Sequence, residues 1–240
     1  MVIEEFVIHL EFVISNSTLT PASKGIMMYD DIKTELMAGN IVAVKNLTEK
    51  YLKEGKPARE ILNEGLIKAM DVIGDRFKRS EIFIPEVMIA AKAMHAGLDL
   101  LQPELAKGGV KPMGRIVLGT VKGDLHDIGK NIVGMMFKGA GFMVIDCGID
   151  VQPQKFIDLA KGEKADIIAM SSLLTTSMPF MEDVIKLLKK NRLDSSVKTM
   201  VGGAPVTQGF ADKIGASGYA LDAGTAVDVA RRLLLKLHGL

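Results

Sequence analysis

From Arg115 onward, short apolar runs alternate with amphipathic stretches, and this alternation constrains the fold more than any other feature of the chain. Arg115 to Val121, Phe142 to Asp146, Asp166 to Ser171, Val197 to Gly203 and Gly218 to Ala220 read as strands. Asn131 to Gly139, Pro153 to Ala160, Met178 to Asn191, Val206 to Ile214 and Ala223 to Leu237 read as helices between and after them. Strands separated by helices at this spacing pair in parallel through right-handed crossovers. The expectation is an α/β fold with a five-stranded parallel, doubly wound sheet of Rossmann-like or flavodoxin-like type.

The preceding part is helical in period. Ile32, Leu36, Val42, Val44, Leu47 and Leu52 line two short helices broken near Gly39-Asn40, and Gly55-Lys56-Pro57 stops the second. Ile61, Leu62, Leu66, Met70, Ile73 and Phe77 mark a third. Pro85, placed as a first-turn proline, opens a fourth through Val87, Ala91, Met94, Leu98 and Leu101. Lys107-Gly108-Gly109-Val110-Lys111-Pro112 then breaks the pattern as a linker does. The expected organisation is a peripheral extension over 1–28, a four-helix unit over 29–105, a linker over 106–113 and the α/β domain over 114–240. Val2 to Ser15 alternates like a strand, lacks the basic start of a secretory signal and reads as an extension from an upstream start.

A net charge of +1, with 48% hydrophobic residues, argues against a polybasic nucleic-acid binder and against disorder. The longest stretch without a charged residue, Ile167 to Met181, is too short and too hydroxylated to span a bilayer. A single cysteine, Cys147, placed after the second strand, excludes an internal disulfide framework and a multi-thiolate zinc site. A cytoplasmic location is the default expectation, with neither nucleic acid nor membrane as partner.

In open sheets of this kind, ligands sit beyond the carboxyl ends of the strands, near a switch in strand order. Three strand ends carry unusual residues: Gly123 to Gly129, Ser171 to Thr176 and Gly202 to Pro205. A histidine that ligates a metal through one ring nitrogen needs an acceptor on the other. For His126, Asp124 is the candidate, and Ser171 could extend that link from the neighbouring strand. Gly202 and Gly203 remove side chains where something large must lie against the sheet. Ordinary helix capping and turn chemistry would account for each motif taken singly.

The run Gly119 to Asn131, with Ser171-Ser172-Leu173 and Met200 to Thr207, resembles the cobalamin-binding signature D-x-H-x-x-G, S-x-L and G-G. The helical half resembles the cap of the same module in methionine synthase and in corrinoid proteins of methyltransferase systems, particularly at Glu81 to Val87. The resemblance implies that His126 is the lower ligand of cobalt, with Asp124 hydrogen-bonded to the imidazole and Ser171 beyond it. The loop residues Gly123, Leu125, Asp127, Ile128 and Gly129 would contact the corrinoid. Its displaced nucleotide tail would run beside Gly129, Leu173, Thr175, Gly202 and Gly203. Phe83 and Met88 of the cap would cover the upper face. Tyr219 to Ala223 resembles a segment near the tail.

The implied cofactor is cobalamin or a related corrinoid, its cobalt alternating between methylcob(III)alamin and cob(I)alamin. The implied function is a corrinoid methyl carrier that needs partners for turnover. A substrate-specific methyltransferase would load it from a simple donor, an acceptor-side methyltransferase would pass the methyl to a thiol or tetrahydrofolate-type acceptor, and a reductive activation protein is a further partner the resemblance suggests. The alternative is a cobalamin-binding sensor. His9, His95 and His238 read as surface or packing residues, and Cys147 as a small buried hydrophobe.

Overall fold

The computed structural model describes residues 29–107 and 112–239; the extension over 1–28 and the middle of the 106–113 linker, 108–111, lie outside the described residues. Asp30–Met37 forms α1 and Ile41–Lys53 forms α2, the latter started by Asn40, whose side chain accepts from the Ala43 amide at 3.1 Å. The third helix, α3, runs continuously over 58–78, although its middle, Ile61–Ile67, takes the wider π pitch. The fourth, α4 (Ile84–Lys107), has Pro85 in its first turn and continues past Pro103, further than the apolar period suggested.

The sheet then forms as expected, with β1 Arg115–Val121, α5 Ile128–Gly139, β2 Met143–Val151, α6 Pro153–Gly162, β3 Ile167–Ser171, α7 Pro179–Lys190, β4 Lys198–Gly202, α8 Gln208–Ile214, β5 Gly218–Ala220 and α9 Ala223–His238. All neighbours are parallel, and the spatial order is β2-β1-β3-β4-β5. The chain therefore leaves β1 in one direction for β2 and returns on its other side for β3. The crevice between the ends of β1 and β3 is the switch point where such sheets bind ligands.

Alternation along the strands divides the core. Ile116, Leu118, Ile167, Ala169 and Met200 face α5, α9 and the helical unit, continuous with its Met70, Ile73 and Met94. Val117, Ile168, Met170 and Val201 face α6, α7 and α8 through Phe156, Met181, Val184 and Ile214. The helical unit thus rests on α5 and α9. Gly74 and Gly224 bring α3 and α9 together, since a Cβ on Gly224 would lie 2.9 Å from the Gly74 carbonyl oxygen. Lys78–Asp228 at 2.6 Å and Arg231–Asp71 at 2.8 Å flank that contact.

One strand differs from expectation. β2 does not end at Asp146 but continues through a register shift, with Leu118 opposite Asp146 and Gly119 opposite Gly148. Cys147 is the extra residue of that bulge and lies within the strand, not after it. Its thiol donates to the Leu118 carbonyl at 3.0 Å, and burial pushes its pKa up to about 12, which leaves it inert.

Candidate functional site

The loop after β1 is folded by its own residues. Gly123 takes φ +78, and its amide donates to Asp150 Oδ1 at 2.7 Å, while the Asp150 amide donates to the Asp124 carbonyl at 3.0 Å. The end of β2 therefore braces the turn that presents Asp124 and His126. Thr120, buried at the end of β1, donates its hydroxyl to the His126 carbonyl at 2.8 Å. Sequence reading gave Thr120 no role, although it lies in the motif.

His126 Nδ1 is 2.7 Å from Asp124 Oδ1. The Asp124 side chain is fully buried and the His126 side chain is 54% exposed. Burial raises the Asp124 pKa, but hydrogen bonds from the His126 and Leu173 amides, the His126 ring and Ser177 outweigh it and hold the carboxyl at about 2. An ionised Asp124 can only accept, so in a neutral ring Nδ1 carries the proton and Nε2 the lone pair. Nε2 makes no hydrogen bond among the described residues and lies on the exposed side of the pair.

The far side of Asp124 corrects one expectation. The hydroxyl that reaches its Oδ2 belongs to Ser177 at 3.2 Å, with the amides of Leu173 at 2.6 Å and Leu174 at 3.2 Å; Ser171 makes no such bond. Ser177 also pairs with Ser172 at 2.7 Å, and both hydroxyls reach the Leu174 carbonyl. The turn after β3 curls back, so the serine six positions beyond the strand end meets the carboxylate, and the strand-end serine does not. Ser177→Ala should lower stability by about 1 kcal/mol in urea unfolding, the usual loss for one buried hydrogen bond, and Ser171→Ala by only a few tenths.

Acid should act on the same cluster. Because the folded-state pKa of Asp124 lies below its unfolded value of about 3.9, its contribution is complete above about pH 4 and is lost as the pH falls towards about 2. The contribution is about 2 kcal/mol. Urea unfolding at pH 6 and pH 3 should show that slope in the wild type and a shallower one in Asp124→Asn.

Beside His126 opens a cavity of about 360 Å³. Gly129, Ser171, Leu173, Gly202 and Gly203 line it together, bringing the three strand-end motifs to one place. Thr175 stays exposed in the turn outside the lining, as do Gly123, Leu125, Asp127 and Ile128. Leu125 and Ile128, each 70% exposed, form an open apolar rim around the imidazole. Phe83 and Met88 are exposed on or beside the start of α4 and do not line the cavity. The aromatic residue of the helical unit that does is Phe77, near the end of α3. Leu221, Asp222 and Ala223, from the segment after β5, also line it. His95 is half-buried, and burial lowers its pKa; His238 is exposed, and His9 lies outside the described residues.

Sequence reading also missed Lys130, which lines the cavity yet is only 3% exposed. Its ammonium pairs with Asp146 on β2 and donates to Asn131 Oδ1 at 2.8 Å. The i-to-i+16 spacing of that pair is invisible to helical or strand periodicity.

One imidazole nitrogen backed by an ionised carboxylate does not fit a bare metal ion, which draws three or four ligands from a protein. A single imidazole could add one ligand to a metal that brings its others with it, and among the described residues no cluster of three or more His, Cys, Asp or Glu could hold a metal ion alone. Fold and site define a ligand-binding protein of the open α/β kind with a helical companion, its cavity lying at the switch point beside one imidazole.

Comparison with known proteins is more specific. Residues 114–231 and 28–102 match two family models, both described as B12 binding domains. A corrinoid protein of Desulfitobacterium hafniense (strain Y51) is 43% identical over 212 residues, 87% of this chain and 98% of that protein. Dimethylamine corrinoid protein 3 of Methanosarcina acetivorans is 51% identical over 179 residues, 75% of this chain and 84% of that protein. The methanol:cobalamin methyltransferase complex of Methanosarcina barkeri contains a chain that superposes with a TM-score of 0.76 at 26% identity, over 96% of this chain and 89% of that one. The chain belongs to the corrinoid protein family of methyltransferase systems, and its cofactor is a corrinoid of the cobalamin type. No helix among the described residues is long and apolar enough to cross a membrane.

Proposed function

We propose that this chain is the methyl carrier of a multicomponent system, loaded by one methyltransferase and unloaded by another. The observation that carries the reading is the His126–Asp124 contact of 2.7 Å at the switch point, with Nε2 left open above an apolar cavity. When bound, the corrinoid supplies the metal centre to and from which a methyl group moves; no side-chain base is required for that transfer. His126 would hold the metal through Nε2. Asp124 holds the proton on Nδ1 and fixes the ring plane, and the Leu173 amide and Ser177 fix Asp124 in turn. At Gly202 and Gly203 a Cβ would meet the Ala220 and Ser172 carbonyl oxygens, respectively, so glycine there lets the strand ends close up and keeps this edge of the cavity free of side chains.

The helical unit acts as a cap. Its two ion pairs to α9 are partly exposed and individually weak, which suits a contact that must open and close for each partner. Phe83 and Met88 are available to cover the cofactor's upper face in one of those arrangements. Dimethylamine corrinoid proteins are among the relatives, so methylamines are the first donors to try, with a thiol as acceptor.

The test is chain-dependent turnover. The purified chain, loaded with hydroxocobalamin under reducing conditions, is mixed with a dimethylamine methyltransferase, its donor and an acceptor-side enzyme with thiol. Methyl thioether that forms in proportion to the loaded chain supports the carrier. Tight corrinoid binding with no turnover for any methylamine, methanol, betaine or methoxylated aromatic would favour the sensor.

A further inference from the structure

The cavity beside His126 is walled mainly by hydrocarbon, from Leu118, Ile132, Ala169, Met200 and Ala226, with Phe77 of α3 contributing one side and the glycine-lined edge adding backbone groups. Its few polar side chains already have partners. Lys130 is taken by Asp146 and Asn131, Ser172 by Ser177 and the Leu174 carbonyl, and Asp222 by the Thr225 amide at 2.7 Å, where it caps α9. Nδ1 of His126 is taken by Asp124. Among the described residues, the Ser171 hydroxyl lines the cavity with no side-chain hydrogen bond, and His126 Nε2, the nitrogen assigned to the metal, is the other uncommitted polar side-chain atom.

Resting on the reading that the corrinoid's nucleotide tail enters this cavity, we propose that the cavity selects the tail's base, accepting a benzimidazole-type base and discriminating against adenine. Both bases share an imidazole ring. Adenine adds two ring nitrogens and an exocyclic amine, whereas a benzimidazole adds only hydrocarbon or methyl groups at the same positions. Ser171 can satisfy at most one of the added polar groups. Each added polar group that finds no partner on that wall loses its water without a replacement, and each such loss weakens binding by about tenfold or more. Phe77 and Met200 gain contact with a hydrocarbon edge and nothing from a polar one. Leu118, Met200 and Phe77 are thus specificity residues that read the far end of the cofactor, remote from the cobalt.

Three probes test this on the full chain: cobalamin, adeninylcobamide and cobinamide, which lacks the base. Affinities come from equilibrium dialysis, and the absorption change on imidazole coordination reports His126 separately. Cobalamin should bind at least about tenfold tighter than adeninylcobamide, with cobinamide also weaker than cobalamin. Met200→Gln, which places an amide in the wall, should narrow the gap between the two bases, and wild type alone decides the matter if that variant does not fold. Equal affinity for cobalamin and adeninylcobamide, tighter binding of the adenine form, or cobinamide matching cobalamin would each overturn the selectivity while leaving His126 coordination, and the carrier reading, intact. Failure of all three probes to show imidazole coordination would remove both.

Discussion

Replacing His126 with alanine should leave a folded protein whose bound corrinoid shows a base-off absorption spectrum and whose affinity for it falls at least about tenfold. Folding should survive because the side chain is 54% exposed and its one hydrogen bond is to Asp124. The carboxylate would not be stranded. Its Oδ1 still accepts from the backbone amide of position 126 at 3.0 Å, which alanine retains, and its Oδ2 keeps the Leu173 and Leu174 amides and Ser177. The spectrum should change because no other imidazole among the described residues lines the cavity; the half-buried His95 belongs to α4. On the proposed reading the tail base would be held in the cavity and would not return to the metal. Asp124→Asn is the graded companion. It keeps the shape, removes the charge that fixes the proton on Nδ1, and should cost less affinity than His126→Ala. A His126→Ala protein with the wild-type spectrum would take the lower-ligand assignment away, whatever its affinity.

Where the sequence was informative, the physics is local. Each strand of the sheet is a short apolar run between helix signals, and prolines at the first turns of α4, α6 and α7 and the caps Asn40, Thr207 and Asp222 mark helix starts by chemistry visible in a few residues. The D-x-H spacing placed a carboxylate and an imidazole two residues apart on one tight turn, and their hydrogen bond follows from that turn. What was not legible depends on long-range closure. Ser171 and Ser177 are equally plausible partners for Asp124 until the path of the turn from Leu173 to Met178 is known. Lys130 looks like a solvated helix cation until Asp146 is brought beside it by β2. Phe77 belongs to the apolar stripe of α3, and only the seating of that helix on α9, through Gly74 and Gly224, shows that its ring reaches the cavity. The bulge at Cys147 is set by pairing with β1, so a window over β2 alone ends the strand too early.

The two glycine types in the site carry different constraints, and substitution separates them. At Gly203, φ is +127 and a Cβ would stand 1.8 Å from the Ser172 carbonyl oxygen and 2.8 Å from its carbon. Ser172 cannot retreat. Its amide donates to the Gly202 carbonyl at 3.2 Å and its hydroxyl belongs to the Ser177 cluster that holds Asp124. Gly203→Ala therefore combines backbone strain of about 1–3 kcal/mol with overpacking of similar size, and should lower stability by about 3–5 kcal/mol in urea unfolding while abolishing corrinoid uptake. Gly129 is the opposite case. It lines the cavity, yet nothing lies within 4 Å of where its Cβ would be, so the protein itself does not require glycine there. A larger side chain, as in Gly129→Leu, should leave unfolding within about 1 kcal/mol of wild type, as expected near a helix start. It should nevertheless block the cofactor, because the space it fills is the ligand's. Thermal or urea unfolding of the two variants, run beside cobalamin uptake, distinguishes a glycine needed by the fold from one needed by what binds to it. If Gly129→Leu took up cobalamin as wild type does, the cofactor would not run along α5.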